Sequence, residues 1–368
     1  MEKIKVSAFC GFHYNAATTL QIKYIKREFE KMGIPFKLYI FDNKKTKEKN
    51  VVSCKGNKMK ASFSLFKKLL KDDSNIFWII KASPYTGFPA LFASFLKRKK
   101  TCVLIDDYEK AITTKRHGRL QGFVMGLIEK FVIKKSDGVI CASKFLYKKF
   151  FDKKKRKNGK YKLIPFGIPT ERFKNAKNIR KELGYLKKDK VLFYIGSLTK
   201  DADVDLAIDA LAHGLKKNKN LKLLVVGGGE ALEKFKNYAK EKNVSKNVKF
   251  TNWINFEEVP NYIFSSDICL MPMKNMEIDE GRCPMKLLEY IAAEKIIIGG
   301  SVGMVKYFLP KKLLCKPEDG KALGNKIIEV LQNKELQRLS IKNCKEWKKK
   351  HDLKNASKEY YEVMKNLI

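Results

Sequence analysis

Short apolar runs alternate with longer amphipathic stretches along the whole chain. The short runs are typical of buried strands, and the longer stretches repeat their apolar residues at helical spacing. One of them, residues 20–33, ends at Gly33, which predicts a helix with a glycine C-cap. The strands predicted in the first half are residues 3–10, 36–42, 75–82, 101–107, 138–143 and 162–166. Those of the second half are 190–197, 221–229, 247–254, 268–273, 295–300 and 312–317.

This alternation predicts parallel sheets covered by helices. Because 368 residues exceed what one hydrophobic core usually organises, we expect two Rossmann-like, doubly wound α/β domains. The predicted domains are residues 1–168 and 190–350, joined by a linker at 169–189. An amphipathic helical run from about residue 335 closes the chain, and its last part, 351–368, is the segment that would pack back on the first domain. Ligands bind at the carboxyl ends of such strands, so two facing sheet edges predict a central cleft.

The chain is strongly basic, with 78 Lys+Arg against 39 Asp+Glu and a formal net charge of +39. Such a surplus favours an anionic partner. The alternative is a general lysine enrichment of surface helices, and composition does not choose between the two. The lysines are dispersed and belong to no recognition module, so specific nucleic-acid binding is not predicted.

Eight cysteines are scattered without a C-x-x-C pair, which predicts buried thiols in a reducing compartment. No segment has the apolar length of a signal peptide or a membrane span. We therefore expect a cytoplasmic protein whose membrane association would be peripheral. Residues 62–71, 89–100 and 123–135 interleave aromatic or aliphatic residues with lysines. That pattern is typical of interfacial helices and equally of core helices with snorkelling lysines.

The most informative segment is GRCPMKLLEYIA at residues 281–292, which follows a predicted strand and begins a helix. Pro284 suits the first turn of a helix, where free N–H groups and the helix dipole can hold a diphosphate. Lys286 and Glu289 are three residues apart and therefore share one helix face. A cation for phosphate beside a carboxylate for ribose hydroxyls indicates a nucleotide site. The alternative is an ordinary surface ion pair on an amphipathic helix.

Six motifs in this order resemble those of family 4 glycosyltransferases, which have the GT-B fold. They are SDGVICASKFL (136–146), KLIPFGIPTERF (162–173), LFYIGSL (192–198), LKLLVVGGG (221–229), NVKFTNWINFEEVPNYIFSSDICLMP (247–272) and the 281–292 segment. None of them is specific alone, but all six stand in register. The last one resembles the subset of the family whose motif reads P-x-K-L-x-E-Y.

The resemblance implies a retaining hexosyltransferase of glycan or glycolipid biosynthesis. Its donor would be a UDP- or GDP-sugar and its acceptor a glycan or a lipid-linked molecule. For a lipid-linked acceptor, the basic residues and interleaved aromatic residues described above predict an anionic membrane surface as a further partner. Such enzymes use no metal and no cofactor, and the leaving diphosphate is thought to help deprotonate the acceptor. The absence of an H-x-x-x-H pair and of paired cysteines agrees with that expectation.

The resemblance also assigns residues of the donor site. Glu289 stands where relatives bind the donor ribose, and Gly281 stands where they carry a first glutamate, so Glu280 is the substitute for the sugar hydroxyls. The family's diphosphate-binding Arg and Lys correspond to Ser197 and Ala202 instead. The residues left to supply positive charge and backbone contacts to the diphosphate are Lys200, Arg282, Cys283, Pro284, Met285 and Lys286.

Further candidates lie near other strand ends. Trp253 and Ile254 stand where the family's backbone meets the base, although an aromatic residue there could equally belong to the core. Gly11 follows the first strand, in a loop that approaches the donor phosphates and the acceptor in relatives. Asp107 stands where relatives often have H-D, and with Glu280 it is predicted to be catalytic. His117 is a further candidate for the donor sugar.

Two other classes of function compete with this prediction. The positive charge suggests a nucleic-acid-binding protein, and the displaced Arg, Lys and first glutamate suggest a non-catalytic GT-B relative, an epimerase or a phosphorylase. Neither G-x-x-x-x-G-K-[ST] nor an early G-x-G-x-x-G is present, which leaves ATPases and dehydrogenases without support.

Overall fold

The computed structural model describes residues 4–14, 16–44, 46–151 and 160–368. Lys3, the first residue of the first predicted strand, lies outside these ranges. The chain divides into two compact units, and each is built from separated segments. The first unit comprises the chain as far as Gly167 together with Glu280–Cys283 and Leu353–Ile368. The second unit comprises Ile168–Asp279 and Pro284–Asp352.

A parallel sheet forms the centre of the first unit. Its strands are β1 (Val6–Cys10), β2 (Phe36–Phe41), β3 (Val51–Cys54), β4 (Ile76–Ile80), β5 (Lys100–Ile105), β6 (Gly138–Cys141) and β7 (Tyr161–Leu163). Within the described ranges they follow the order β3-β2-β1-β4-β5-β6-β7, and each pair is parallel. Helices on both faces explain why β1 and β4 are buried along their whole length. The helices are α1 (Ala17–Lys31), α2 (Lys58–Leu69), α3 (Pro84–Lys97), α4 (Glu109–His117), α5 (Arg119–Lys135) and α6 (Lys144–Phe150).

The second unit has its own parallel sheet. Its strands are β8 (Lys190–Ile195), β9 (Leu221–Val226), β10 (Val248–Phe250), β11 (Ile268–Met271), β12 (Ile296–Gly300) and β13 (Leu314–Cys315), in the order β10-β9-β8-β11-β12-β13. The helices of this half are α7 (Val204–Gly214), α8 (Leu232–Glu241), α9 (Val259–Phe264), α10 (Glu277–Gly281), α11 (Met285–Ala292), α12 (Gly303–Phe308), α13 (Gly320–Gln332) and α14 (Lys334–His351). Helix α15 (Leu353–Lys365) then belongs to the first unit.

Each of the twelve predicted strands corresponds to a strand of the structure, and one strand, β3, was not predicted. Strand β3 was not predicted because its four residues, VVSC, form a short run between polar stretches, and only the first and the last of them are buried. The helix predicted to end at Gly33 is confirmed as α1, since Gly33 follows its C-cap with a φ of 74°. Both sheets are doubly wound, as predicted.

Residues 169–189, predicted as a linker, lie inside the second unit. Arg180 Nη1 donates to Asp267 Oδ2 at 2.9 Å, and the backbone N–H of Lys177 donates to Asn261 Oδ1 at 2.8 Å. These contacts attach the segment to the end of α9 and the start of β11. The segment therefore has fixed partners in the sheet of the second unit.

The single helical run predicted from about residue 335 is wrong, because the chain breaks it at Asp352. That residue is extended, with a φ of −66° and a ψ of 170°, and pairs with Ile168 in an isolated parallel bridge. Helix α14 stays in the second unit, whereas α15 packs in the first. There Tyr360 contacts the Trp78 ring at 5.4 Å, and its hydroxyl donates to Ile164 O and Pro165 O.

All eight cysteines are free thiols, and all except Cys315 are buried. Burial raises the pKa of Cys10 and Cys269 to about 12, which makes these thiols unreactive. A search of the described helices finds no segment with the length and hydropathy needed to cross a bilayer.

Candidate functional site

The carboxyl ends of β8 and β9 in the second unit lie so close together that only glycine fits. A β-carbon on Gly227, whose φ is 125°, would lie 2.0 Å from the carbonyl oxygen of Gly196. A β-carbon on Gly229 would lie 2.6 Å from Leu198 O. The backbone there is fixed by hydrogen bonds from Gly196 N to Val226 O at 3.0 Å and from Leu198 N to Gly228 O at 2.8 Å. The two strand ends thus form a narrow surface made mostly of backbone, which we call the glycine surface (Gly196 and Gly227–Gly229).

Helix α11 begins beside this surface. Pro284 is the N-cap of this helix, at the start of the first turn in which it was predicted. The hydroxyl of the buried Tyr290 accepts a hydrogen bond from Ile195 N at 3.3 Å, which ties α11 to the end of β8. The N-terminus of α11 carries the positive end of the helix dipole, so this end can bind an anion.

Lys286 extends from the first turn of α11 to the end of β8. Its Nζ lies 3.9 Å from the centre of the Tyr194 ring. The same Nζ lies 3.2 Å from the position that a β-carbon on Gly196 would take. The ammonium group therefore lies against the glycine surface, where a side chain at residue 196 would crowd it.

Glu289 is the buried carboxylate of this group, with 4% of its surface exposed. Arg172 Nη1 donates to Glu289 Oε1 at 2.5 Å. Burial raises the pKa of Glu289, while the positive charges of Arg172 and Lys286 oppose that rise. The surface ion pair considered as an alternative is therefore excluded for Glu289, since its partner is Arg172, whose side chain is only 10% exposed.

The role of Arg172 was missed by the sequence analysis. Its guanidinium lies 3.8 Å from the centre of the Phe256 ring, and its Nη2 donates to Phe256 O at 2.6 Å. It comes from the short 3-10 helix Thr170–Phe173, 117 residues before Glu289. The available signal was its place in the KLIPFGIPTERF motif, but no local spacing connects it to Glu289.

Other predicted donor residues of the second unit lie near the same strand ends. Ser197 and Lys200 follow β8 and are exposed, and Ile254 is half-buried. Trp253 is 64% exposed, so it does not belong to the core. Its indole lies beside the glycine surface, because a β-carbon on Gly228 would be 2.8 Å from Trp253 Nε1.

The predicted residues Glu280, Arg282 and Cys283 belong to the first unit, whereas Pro284 and Met285 belong to the second. Gly281, which the resemblance aligned with a first glutamate, contacts Tyr108 there: a β-carbon at Gly281 would lie 3.1 Å from Tyr108 Cβ. The neighbouring Cys283 is buried, which raises its pKa to about 12. Their assigned roles stay predictions.

A buried lysine surrounded by carboxylates lies at the ends of β4 and β5 in the first unit. Lys81 forms an ion pair with the predicted catalytic residue Asp107, and its Nζ lies 3.8 Å from Asp106 and 3.4 Å from Glu109. Burial would lower the pKa of Lys81, but the three carboxylates outweigh it and raise that pKa well above its usual value. Burial raises the pKa of Asp106 to about 7, although Lys81 opposes it.

Lys81 has a φ of 66°, a left-handed conformation that is strained for a residue with a side chain. No sequence signal pointed to this lysine. Gly11 directly follows β1, which is the neighbour of β4 in the sheet. A β-carbon on Gly11 would lie 3.3 Å from Thr86. His117 is exposed at the end of α4.

Comparison with known proteins gives this geometry a context. Residues 175–347 match the family model described as "Glycosyl transferases group 1". The lipopolysaccharide 1,2-N-acetylglucosaminetransferase of Salmonella typhimurium is 24% identical over 241 residues, which are 62% of this chain and 62% of that protein. The chain thus spans less than two thirds of the length of this curated relative.

Two solved structures resemble the whole chain. Sucrose-phosphate synthase from Thermosynechococcus elongatus has a TM-score of 0.80 at 14% identity, with 99% of each chain covered. Anabaena HepE in complex with UDP and glucose has a TM-score of 0.79 at 13% identity, covering 99% of this chain and 100% of that one. With the two parallel sheets, these similarities establish the predicted GT-B fold.

Proposed function

We propose that the chain is a retaining glycosyltransferase that moves a hexose from a UDP- or GDP-sugar to a glycan or lipid-linked acceptor. The observation that carries this proposal is the group on α11, where Lys286 and the buried Glu289 lie beside the glycine ends of β8 and β9. The family match over residues 175–347 supports it, and so does the UDP bound by the structural relative HepE.

In this proposal the donor diphosphate lies at the start of α11. The first N–H groups of the helix and the Lys286 ammonium provide positive charge without a metal ion. The carboxylate of Glu289 accepts hydrogen bonds from the ribose hydroxyls, and Arg172 holds that carboxylate in place. The exposed Trp253 provides an aromatic face for the base.

The reaction breaks the bond between the anomeric carbon and the diphosphate oxygen and forms one to the acceptor oxygen on the same face of the sugar. Breaking this bond leaves negative charge on the diphosphate in the transition state, where Lys286 and the helix dipole stabilise it. The departing diphosphate then accepts the acceptor proton. Glu280 and Asp107 stay our predicted catalytic residues, Gly11 is assigned to the acceptor side, and Arg282, Cys283, Ser197 and Lys200 stay predictions for the diphosphate.

Release of UDP or GDP from a panel of nucleotide sugars tests the activity. We expect Lys286→Ala and Glu289→Ala each to lower turnover about a hundredfold or more, because each removes a contact to the donor. Glu289→Gln keeps the shape but loses the charge, so it should fall between Glu289→Ala and the wild type. Lys240→Ala and Glu241→Ala, which change exposed residues of α8, should leave turnover unchanged.

Binding of UDP and GDP, measured by calorimetry, separates the alternatives. Nucleotide binding without diphosphate release would identify a non-catalytic GT-B relative. Full turnover in both α11 variants, with their folds intact by circular dichroism, would remove the site from α11.

A further inference from the structure

Helices α2, α3 and α5 lie side by side in the first unit and expose large apolar side chains. Aromatic contacts connect the three helices. The Phe66 and Phe92 rings stack with their centres 5.4 Å apart, and the Phe88 and Phe131 rings meet edge to face at 6.0 Å. We call this surface the α2-α3-α5 face. Its exposed members are Met59, Phe63, Phe88, Phe92, Phe95, Leu96, Leu120, Phe123, Val124, Leu127 and Phe131.

Helix α3 has the reverse of the polarity that a core helix needs, whereas α2 and α5 also bury apolar residues such as Leu65 and Val132. In α3 the small residues Gly87, Ala90 and Ala93 face inward, whereas Phe95 is 78% exposed. A β-carbon on Gly87 would lie 2.8 Å from Val132 of α5, so close packing requires the glycine. In a globular protein the large apolar residues usually fill the core and the small or polar ones face water. The outward aromatic residues therefore do not stabilise the core of this unit.

The spacing of the exposed residues makes each helix present one continuous stripe. Phe88, Phe92 and Phe95 recur at intervals of four and three residues along α3. Leu120, Phe123 and Leu127 do the same along α5. Residues at these intervals lie on one side of a helix. The core-helix alternative accounts for the buried side of these helices but not for their exposed stripes.

Positive charge accompanies this apolar surface. The three helices carry nine basic residues and a single acidic one, Glu129, which is buried. Lys130, Lys134 and Lys135 are exposed on α5, and Lys67 lies over the exposed Phe63 ring at 4.6 Å. A contiguous apolar patch with a basic border matches a surface that is apolar inside and anionic outside.

We propose that the α2-α3-α5 face binds the surface of an anionic phospholipid bilayer, with its phenylalanine and leucine side chains inserted among the acyl chains. An anionic bilayer offers both an apolar layer and negative head groups, and no described helix is suited to span it. A nucleic acid would complement the lysines alone, since exposed leucine, valine and methionine side chains cannot pair with bases or phosphates.

Vesicle flotation of the full chain tests this proposal. With vesicles of equal parts phosphatidylglycerol and phosphatidylcholine at low salt, the protein should float, and with phosphatidylcholine alone it should float far less. The triple change Phe92→Ser, Phe95→Ser, Phe123→Ser should weaken binding about tenfold or more, because it removes three inserted rings. The matched control Leu186→Ser, Phe264→Ser, which changes exposed apolar residues of the second unit, should bind like the wild type.

Charge reversal provides the second half of the test. Lys130→Glu, Lys134→Glu, Lys135→Glu should abolish the preference for phosphatidylglycerol, whereas Lys216→Glu, Lys217→Glu, Lys219→Glu should keep it. Unchanged UDP binding by all four variants confirms that they fold. A wild type that does not float with anionic vesicles at low salt would overturn the proposal. So would a wild-type dimer that the triple serine variant converts to monomer, since a second copy would then cover the face.

Discussion

At the scale of single residues, Arg172 and Glu289 form a buried ion pair that stability does not explain. The cost of removing two charges from water roughly cancels their attraction, so such pairs contribute little net stability compared with apolar side chains. The structure nevertheless gives Arg172 three contacts, to Glu289, to the Phe256 carbonyl and to the Phe256 ring. Each contact fixes the position of the guanidinium, and through it the position of the Glu289 carboxylate. Precise placement of one carboxylate is what binding of two ribose hydroxyls requires.

Glu129 offers a pH-dependent test at the same scale. Burial, with Glu109 nearby, raises its pKa to about 8, and its Oε2 is buried without a hydrogen-bond partner among the described residues. The folded state therefore holds a proton that the unfolded chain releases near pH 4.5. Stability should fall between about pH 4.5 and pH 8, by at most about 1.4 kcal/mol per pH unit from this group. Urea unfolding curves of the wild type across that range measure the slope.

Glu129→Gln has an uncharged side chain at every pH, so its free energy of unfolding should lose the pH dependence that Glu129 causes. The variant should therefore become more stable relative to the wild type as the pH rises. Glu257→Gln changes an exposed carboxylate of the second unit and should leave the slope unchanged. Parallel curves for the wild type and Glu129→Gln would show that Glu129 is already ionised in the fold.

At the scale of elements, the sequence predicted the strands well because a strand covered on both faces must be apolar along its length. It predicted that Lys286 and Glu289 belong to one candidate site on α11, because they are close in the chain as well as in space. Arg172 could not be predicted from spacing, since its contact with Glu289 depends on the folded second unit. Lys81 could not be predicted either, because the three carboxylates that compensate its burial lie between the end of β5 and the start of α4. The break at Asp352 was not predicted because no proline or glycine, the usual signals of a helix end, lies near it in the sequence.

The glycine ends of β8 and β9 allow a prediction for the element that carries the donor site. Gly227→Ala should destabilise the second unit by about 1–3 kcal/mol and weaken UDP binding, because its β-carbon would lie 2.0 Å from the Gly196 carbonyl oxygen. Gly184→Ala is the matched control, since Gly184 also has a positive φ, 77°, but nothing lies within 4 Å of its added β-carbon. It should cost about 1 kcal/mol for the backbone alone and leave UDP binding intact. Thermal unfolding and calorimetry measure both effects, and equal losses in the two variants would contradict the packing argument.

At the scale of the whole molecule, the first unit is completed by segments far away in the chain. The first unit takes Glu280–Cys283 from the connection between β11 and α11, and Leu353–Ile368 from the end of the chain. Helix α11, which carries Lys286 and Glu289, is therefore preceded directly by residues of the first unit. The predicted catalytic residue Glu280 and the predicted donor residue Lys286 are six positions apart in the chain but belong to different units. The order of the motifs could reveal this proximity along the chain, but the division between units depends on tertiary packing.

The last of these segments leads to a prediction about how the units are stabilised. Tyr360 of α15 is fully buried against Trp78 of β4, so Tyr360→Ala should cost the first unit about 3–5 kcal/mol. Tyr360→Phe should cost only about 1 kcal/mol, because it keeps the ring and loses the hydrogen bonds to Ile164 and Pro165. Hydrogen exchange should become faster in β5 and β6 and stay unchanged in β9. The reciprocal variant Phe235→Ala, which removes a buried ring of α8, should speed exchange in β9 alone. If Tyr360→Ala instead speeds exchange equally in both sheets, α15 stabilises more than the unit that contains it.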